Sequence, residues 1–281
     1  MEKQRTVVCE TAVTGLALHT GVRATLRMHP APVNSGVVFR RIDLPGAPEV
    51  KALASNVVDV RRGTTIACGQ VAVYTIEHIM SALHANCVDN VVVDMDGAEP
   101  PILDGSAKEY CAMCKETVEQ DAVAKYFEAD RFFHSMEKDT QIVMTPGNGG
   151  LRIACTASFQ GCPFDPQYFS LDITPESYEK EIAGARTFVN YNDLKMLLAM
   201  GLCKGGSLDA AAILHNGAIF CKESLRYQNE IVRHKILDLT GDLFLCGRRV
   251  RGNVVAIKPG HPRNVALALQ MQQYLAAQEA K

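Results

Sequence analysis

The segment Ile231-Val-Arg-His-Lys-Ile-Leu-Asp-Leu-Thr-Gly-Asp242 constrains this chain more than any other. Ile231, Ile236, Leu237, Leu239 and Leu243 recur at helical spacing, which predicts a largely buried helix. His234 and Asp238 stand four residues apart on it, so both side chains leave one face, one turn apart. An imidazole buried beside a carboxylate is costly unless the charge has a partner. A divalent cation suits both, and nitrogen plus oxygen ligation without a thiolate favours zinc or a similar metal. Two protein ligands are too few for a tight site, so the fold has to bring a third to this helix from elsewhere.

The best candidate lies in Tyr74-Thr-Ile-Glu-His-Ile-Met-Ser-Ala-Leu83. Thr75 is expected to cap a helix whose first turn carries Glu77 and His78, with Ile76, Ile79, Met80 and Leu83 facing the core. Metal-assisted hydrolysis needs such a pair: one residue binds the ion, and the other takes a proton from the activated water. The pattern is not His-Glu-x-x-His, because the next histidine, His84, comes six residues later on another face. A Glu-His pair at a helix start is commonly a surface feature, so the reading depends on the rest of the chain.

With 281 residues, the chain has room for one large domain or two of ordinary size. Its formal charge of −2 leaves no global field to recruit nucleic acid or an anionic membrane. Met1-Glu-Lys-Gln-Arg5 leads into an alternating strand rather than a signal peptide, and no apolar run approaches the roughly 18 residues of a membrane span. A cytoplasmic protein is expected. The ten cysteines are scattered through apolar segments and read as small hydrophobes of a reducing compartment. Cys111-x-x-Cys114 has no second pair to complete a zinc site and reads as packing. His29, His84, His134 and His215 have no partner at ligand spacing and read as structural. No motif specifies an oligomeric state.

Strands are predicted over 5–13, 23–29, 36–41 and 90–95, with short strands across 54–73 broken at Arg61-Arg62-Gly63. Asp104-Gly-Ser106 is expected to start a helix running to about 119, and the polar stretch 119–125 reads as a linker. The second half repeats the order. It has strands over 126–133, 141–144, 150–158 and 168–173, then a helix capped by Thr174-Pro175 and an amphipathic helix over 191–200. The helix of the opening segment, a strand over 253–258 and a last helix over 262–279 complete it. This layout predicts an α+β fold of two similar-sized domains, 1–122 and 123–281, each a sheet layered with helices. Glu77-His78 lies in one half and His234-Asp238 in the other, so a shared metal places the active site at the domain interface.

Several further blocks stand in a fixed order: Thr14-Gly-Leu-Ala-Leu-His-Thr-Gly21, Pro30-Ala-Pro32, Thr75-Ile-Glu-His78, Pro101-Ile-Leu-Asp-Gly-Ser106, Ala185-Arg-Thr-Phe188, Gly201-Leu-Cys-Lys-Gly-Gly-Ser207, Arg233-His-Lys-Ile-Leu-Asp238 and Pro259-Gly-His261. With these blocks the chain resembles the UDP-3-O-acyl-N-acetylglucosamine deacetylase family, zinc amidases that commit a bacterium to lipid A synthesis, from about Gln4 to the final helix. The resemblance implies zinc on His78, His234 and Asp238, the same three that spacing proposes, with Glu77 as general base. It further implies that His261 protonates the leaving amine, that Asp242 orients His261, and that Thr187 helps hold the oxyanion. His19, Phe188, Lys235 and Lys258 match positions lining the sugar and diphosphate region. Tyr191, Leu194, Cys203, Gly206, Ser207, Ala210 and Ala211 fall where the family threads the substrate's acyl chain. The implied partner is an acylated UDP-sugar, with transient contact at the inner-membrane surface. Two other readings stay open: a catalytically inactive sugar-nucleotide-binding module with a structural zinc, and a zinc amidase for a different acylated amino sugar.

Overall fold

The computed structural model describes residues 1–159 and 162–280; residues 160, 161 and 281 of the expected second domain lie outside the described residues. In the first half, Thr11–Leu16, Arg23–Pro30, Val91–Met95, Val37–Arg41 and Glu49–Lys51 form a five-stranded sheet in that spatial order. Neighbours run antiparallel, except that Val37–Arg41 runs parallel to Val91–Met95. Alternation sets its faces: Ala24, Leu26 and Met28 are buried, while Arg23 and Arg27 face out. Helix α1 (Glu77–Ala85), every residue of which is buried, and α2 (Lys108–Cys114) share the core with this sheet. A small sheet of Val57–Asp59, Thr65–Cys68 and Val71–Val73 stands beside them.

The second half is built on Phe133–Glu137, Thr140–Thr145, Arg249–Ile257, Leu151–Ala157 and Gln167–Ile173, again in spatial order, with Tyr126–Glu128 parallel to Arg249–Ile257. Its helices are α3 (Pro175–Glu181), α4 (Tyr191–Ala199), α5 (Glu230–Phe244) and α6 (His261–Glu279). Helix α4 crosses from Thr187–Asn190 to the parallel strand Ala211–His215, a compact β-α-β unit extended by Ala218–Phe220. The architecture is the expected α+β arrangement of sheets layered with helices.

Helices α1 and α5, one from each half, pack side by side, and a single apolar core runs across them. Gly241 makes the approach possible, because a Cβ there would stand 2.1 Å from the carbonyl oxygen of Glu77. Asp104 adds a tie across the halves, accepting from Arg226 Nη1 at 2.7 Å.

Three local expectations are corrected. The helix expected from 104 to about 119 is confined to Lys108–Cys114, since Leu103 and Gly105 adopt positive φ angles of 56° and 80° just before it. Most of the polar stretch read as a linker is the strand Thr117–Val123, paired antiparallel with Lys3–Val7 at the start of the chain. Thr75 does not cap α1: its φ is 53°, its hydroxyl donates to Glu99 Oε1 at 3.0 Å, and Ile76 occupies the cap position. Thr174 does cap α3, in a reciprocal box with Ser177. All ten cysteines are free thiols, with Cys111 and Cys114 buried in the core. Among the described residues no helix is long and apolar enough to cross a membrane.

Candidate active site

Helix α5 turns His234 and Asp238 inward, and α1 brings His78 against them. Nε2 of His78 and Nε2 of His234 lie 3.8 and 3.4 Å from Oδ1 of Asp238. The three donor atoms fall within 4.8 Å of one another, and all three side chains are buried. Ligands about 2.0–2.2 Å from a tetrahedral ion sit roughly 3.3 Å apart, so this set fits a divalent cation after a small contraction. Protonation fits as well. Burial, reinforced by His234, holds His78 down to about 3, and burial also lowers His234, so both rings are neutral. Burial alone would raise Asp238, but the Lys235 charge, with that of the cationic His261 behind it, holds it far below the ordinary carboxylate range.

Each donor is aimed by a second contact, a common feature of metal sites. The Nδ1–H of His234 donates to the Ala185 carbonyl at 3.0 Å, which leaves Nε2 its lone pair. Lys235 Nζ donates to Oδ2 of Asp238 at 2.8 Å, which leaves Oδ1 toward the histidines. Ala185 is held because Arg186 beside it is locked in a buried ion pair with Glu230 at 2.8 Å, and Glu230 also accepts the Arg186 and Arg226 amides.

Glu77 precedes His78. Its Oε2 accepts the Thr64 amide at 2.9 Å, and its Oε1 lies 4.0 Å from Nε2 of His261. Burial raises the Glu77 carboxyl to about 7, against the opposing charge of His261. His261 opens α6, where the helix dipole disfavours a cation. Its Nδ1–H donates to Oδ2 of Asp242 at 2.8 Å. Burial would lower this imidazole, but the Asp242 charge and hydrogen bond carry it up to about 9. Asp242, wholly buried, also accepts from the Thr64 hydroxyl at 2.6 Å and from Asn264 Nδ2 at 2.9 Å. The site thus pairs a carboxyl that ionises near neutrality with an imidazole that stays cationic.

A cavity of about 320 Å³ is lined by His19, Thr187, Phe188, Leu194, Cys203, Gly206, Ser207 and Ala211 from the sequence reading. Phe188 joins it to the candidate metal group: its ring meets His234 edge-on at 6.0 Å and lies 5.3 Å from Lys235 Nζ. Leu18, Leu197 and Ile213 add apolar wall that the sequence reading missed. Tyr191 stands outside this lining, with its ring against His215 at 4.5 Å and Lys195 Nζ 4.6 Å from its centre. Ala210 is buried against Gly105, also outside the lining. Lys258, just past the strand Arg249–Ile257, donates to Asp139 at 2.8 Å. Thr64, Gly241 and Asn264 were also missed. Asn264 follows His261 by one helical turn and was open to discovery by spacing, whereas Thr64 and Gly241 act on partners far along the chain.

A family profile described as UDP-3-O-acyl N-acetylglycosamine deacetylase matches residues 4–273. A curated UDP-3-O-acyl-N-acetylglucosamine deacetylase of Thioalkalivibrio sulfidiphilus is 39% identical over 268 residues, covering 94% of this chain and 88% of that protein. The proteins of the same name from Geobacter sp. (strain M21) and Myxococcus xanthus are 38% and 39% identical, covering 95% and 93% of this chain and 88% and 83% of theirs. With the profile spanning nearly the whole described sequence, the chain belongs to the UDP-3-O-acyl N-acetylglycosamine deacetylase family.

Proposed function

We propose that this protein is a zinc-dependent amidohydrolase that removes the 2-N-acetyl group of UDP-3-O-acyl-N-acetylglucosamine, releasing acetate as the committed step of lipid A biosynthesis. The reading is carried by one observation: His78 meets His234 and Asp238 beside a buried carboxyl, Glu77, and an imidazole, His261, that Asp242 holds cationic. His78, His234 and Asp238 would hold the zinc. When bound, the ion supplies a Lewis acid that polarises the amide carbonyl and lowers the pKa of the attacking water.

The side chains do the rest. Oε1 of Glu77, whose other oxygen is engaged by Thr64, accepts the proton of the attacking water. Thr187 donates to the carbonyl oxygen as the carbon becomes tetrahedral, a type of contact typically worth about 3–4 kcal/mol. Nε2 of His261, kept protonated by Asp242, donates to the amine nitrogen, which leaves poorly without that proton. His19, Phe188, Lys235 and Lys258 bind the sugar and diphosphate. The acyl chain occupies the cavity lined by Leu194, Cys203, Gly206, Ser207 and Ala211, and Tyr191 begins the helix that supplies one wall. We assign residues 1–122 and 123–281 as the two domains. A cytoplasmic protein acting on a substrate with one acyl chain would touch the inner-membrane surface only transiently.

The test is direct: the zinc-loaded protein is incubated with UDP-3-O-acyl-N-acetylglucosamine and free acetate is measured. Release by the native chain and none by Glu77→Ala is expected. Acetate no higher than in that control would return the protein to the reading of an inactive sugar-nucleotide-binding module.

A further inference from the structure

Thr64 is fully buried just ahead of the strand Thr65–Cys68, and it touches both proton-handling groups at once. Its amide donates to Oε2 of Glu77 at 2.9 Å, and its hydroxyl donates to Oδ1 of Asp242 at 2.6 Å. The same hydroxyl oxygen lies 3.3 Å from Nδ1 of His261. A hydroxyl has one proton and two lone pairs. With its proton on the carboxylate, it can only accept from the imidazole N–H, which is shared with Asp242 Oδ2 at 2.8 Å. Asn264 Nδ2 donates to that same Oδ2 at 2.9 Å, so the carboxylate is pinned at both oxygens.

Two orientations follow from this one residue. The amide contact leaves Oε1 as the free oxygen of Glu77. The hydroxyl contact helps hold Nδ1–H of the ring toward Asp242, so Nε2, which carries the proton to be given up, is the nitrogen that stands 4.0 Å from Oε1. The backbone can approach Glu77 this closely because residue 63 is glycine, where a Cβ would sit 3.1 Å from Oε1.

We infer that Thr64 is a positioning residue for both proton transfers, its amide orienting Glu77 and its hydroxyl fixing the ring of His261 through Asp242. The inference rests on the deacetylase reading above. It competes with simple core filling, under which the hydroxyl is dispensable and valine, of the same shape, serves as well.

Thr64→Val removes the hydroxyl and keeps the amide, whereas Thr64→Ser keeps both. Expected for valine is a kcat about 10- to 100-fold lower with KM changed less than about threefold, the pattern of a misplaced catalytic group. Serine restores turnover to within about threefold of the native value. A second readout needs no turnover: in protein labelled with 15N-histidine, the Nδ1–H proton of His261 is a slowly exchanging downfield resonance in the native and serine proteins, and is lost in the valine variant. Metal content and thermal midpoint are measured alongside. If valine disturbs either, Thr64→Ala, which deletes the hydroxyl without filling its place, is scored in the same way. A valine variant within about twofold of native kcat that keeps the resonance, or a loss that serine fails to restore, would overturn the role of Thr64. Neither result touches the deacetylase reading, which stands or falls on acetate release by the native chain.

Discussion

Glu77 and His261 are 4.0 Å apart and both hold their protons more tightly than usual, Glu77 because burial disfavours its charge and His261 because Asp242 favours its cation. Burial holds the Glu77 proton up to about pH 7 without a bound cation, and a positive ion on the neighbouring ligands draws that value down. The carboxyl acts as a base only when ionised, so kcat/KM rises with pH through this group. His261 acts as an acid only when protonated, so kcat/KM falls as pH passes about 9. The expected profile is a bell, measured from roughly pH 5 to pH 10. Glu77→Ala should lower kcat about 10²- to 10⁴-fold and remove the acid limb, while His261→Ala should remove the basic limb. Both limbs surviving in both variants would refute these roles. At this scale the sequence is informative only where partners are local. His234 and Asp238 are legible because four residues make one helical turn. Thr64 has its partners at Glu77, Asp242 and His261, and no spacing in Arg61-Arg62-Gly-Thr64 points to them.

Helix α5 works as a ruler. His234, Asp238 and Asp242 recur every fourth residue along one stripe, about 6 Å of rise per step. Two of them belong to the candidate metal group, and the third holds His261. Gly241, between the last two, lets α1 close on this stripe. Gly241→Ala should push a methyl group into the Glu77 backbone, costing about 1–3 kcal/mol or more and weakening metal uptake along with thermal stability. An alanine variant with native melting temperature and native metal content would show that the close approach is not needed. Helices with strong apolar stripes, such as α1 and α5, were readable because their signal lies within one window. The strand Thr117–Val123 was not, since its partner Lys3–Val7 lies at the other end of the first half and its own residues are polar enough to pass for a linker. The short reach of α2 follows from backbone turns at Leu103 and Gly105, which apolar periodicity does not register.

At the scale of the whole molecule, the proposed ion is a cross-link. One ligand comes from the first half and two from the second, so binding favours only the closed arrangement of α1 on α5. A ligand present at 100 times its dissociation constant adds about 2.7 kcal/mol. Chelation should therefore lower the melting temperature by roughly 5–10 °C, taking 2–4 °C per kcal/mol for a chain of this size. Readdition of zinc should restore it, and a midpoint indifferent to chelator would mean that the trio holds no ion. The α+β layout was legible in the order of predicted elements, and the convergence of His78 with His234 and Asp238 in their residue types and spacing. The continuity of the core across that meeting was not, because a hydrophobic pattern shows that a face is covered without showing by what.

That seam also bears on how the polypeptide is made. While the ribosome still holds the second half, α1 has been synthesised but α5 has not, and a helix buried on every side in the finished protein lacks its main neighbour. The nascent first half would then be a natural client for chaperones, and capture of the ion would come late in maturation, once Asp238 has emerged and docked.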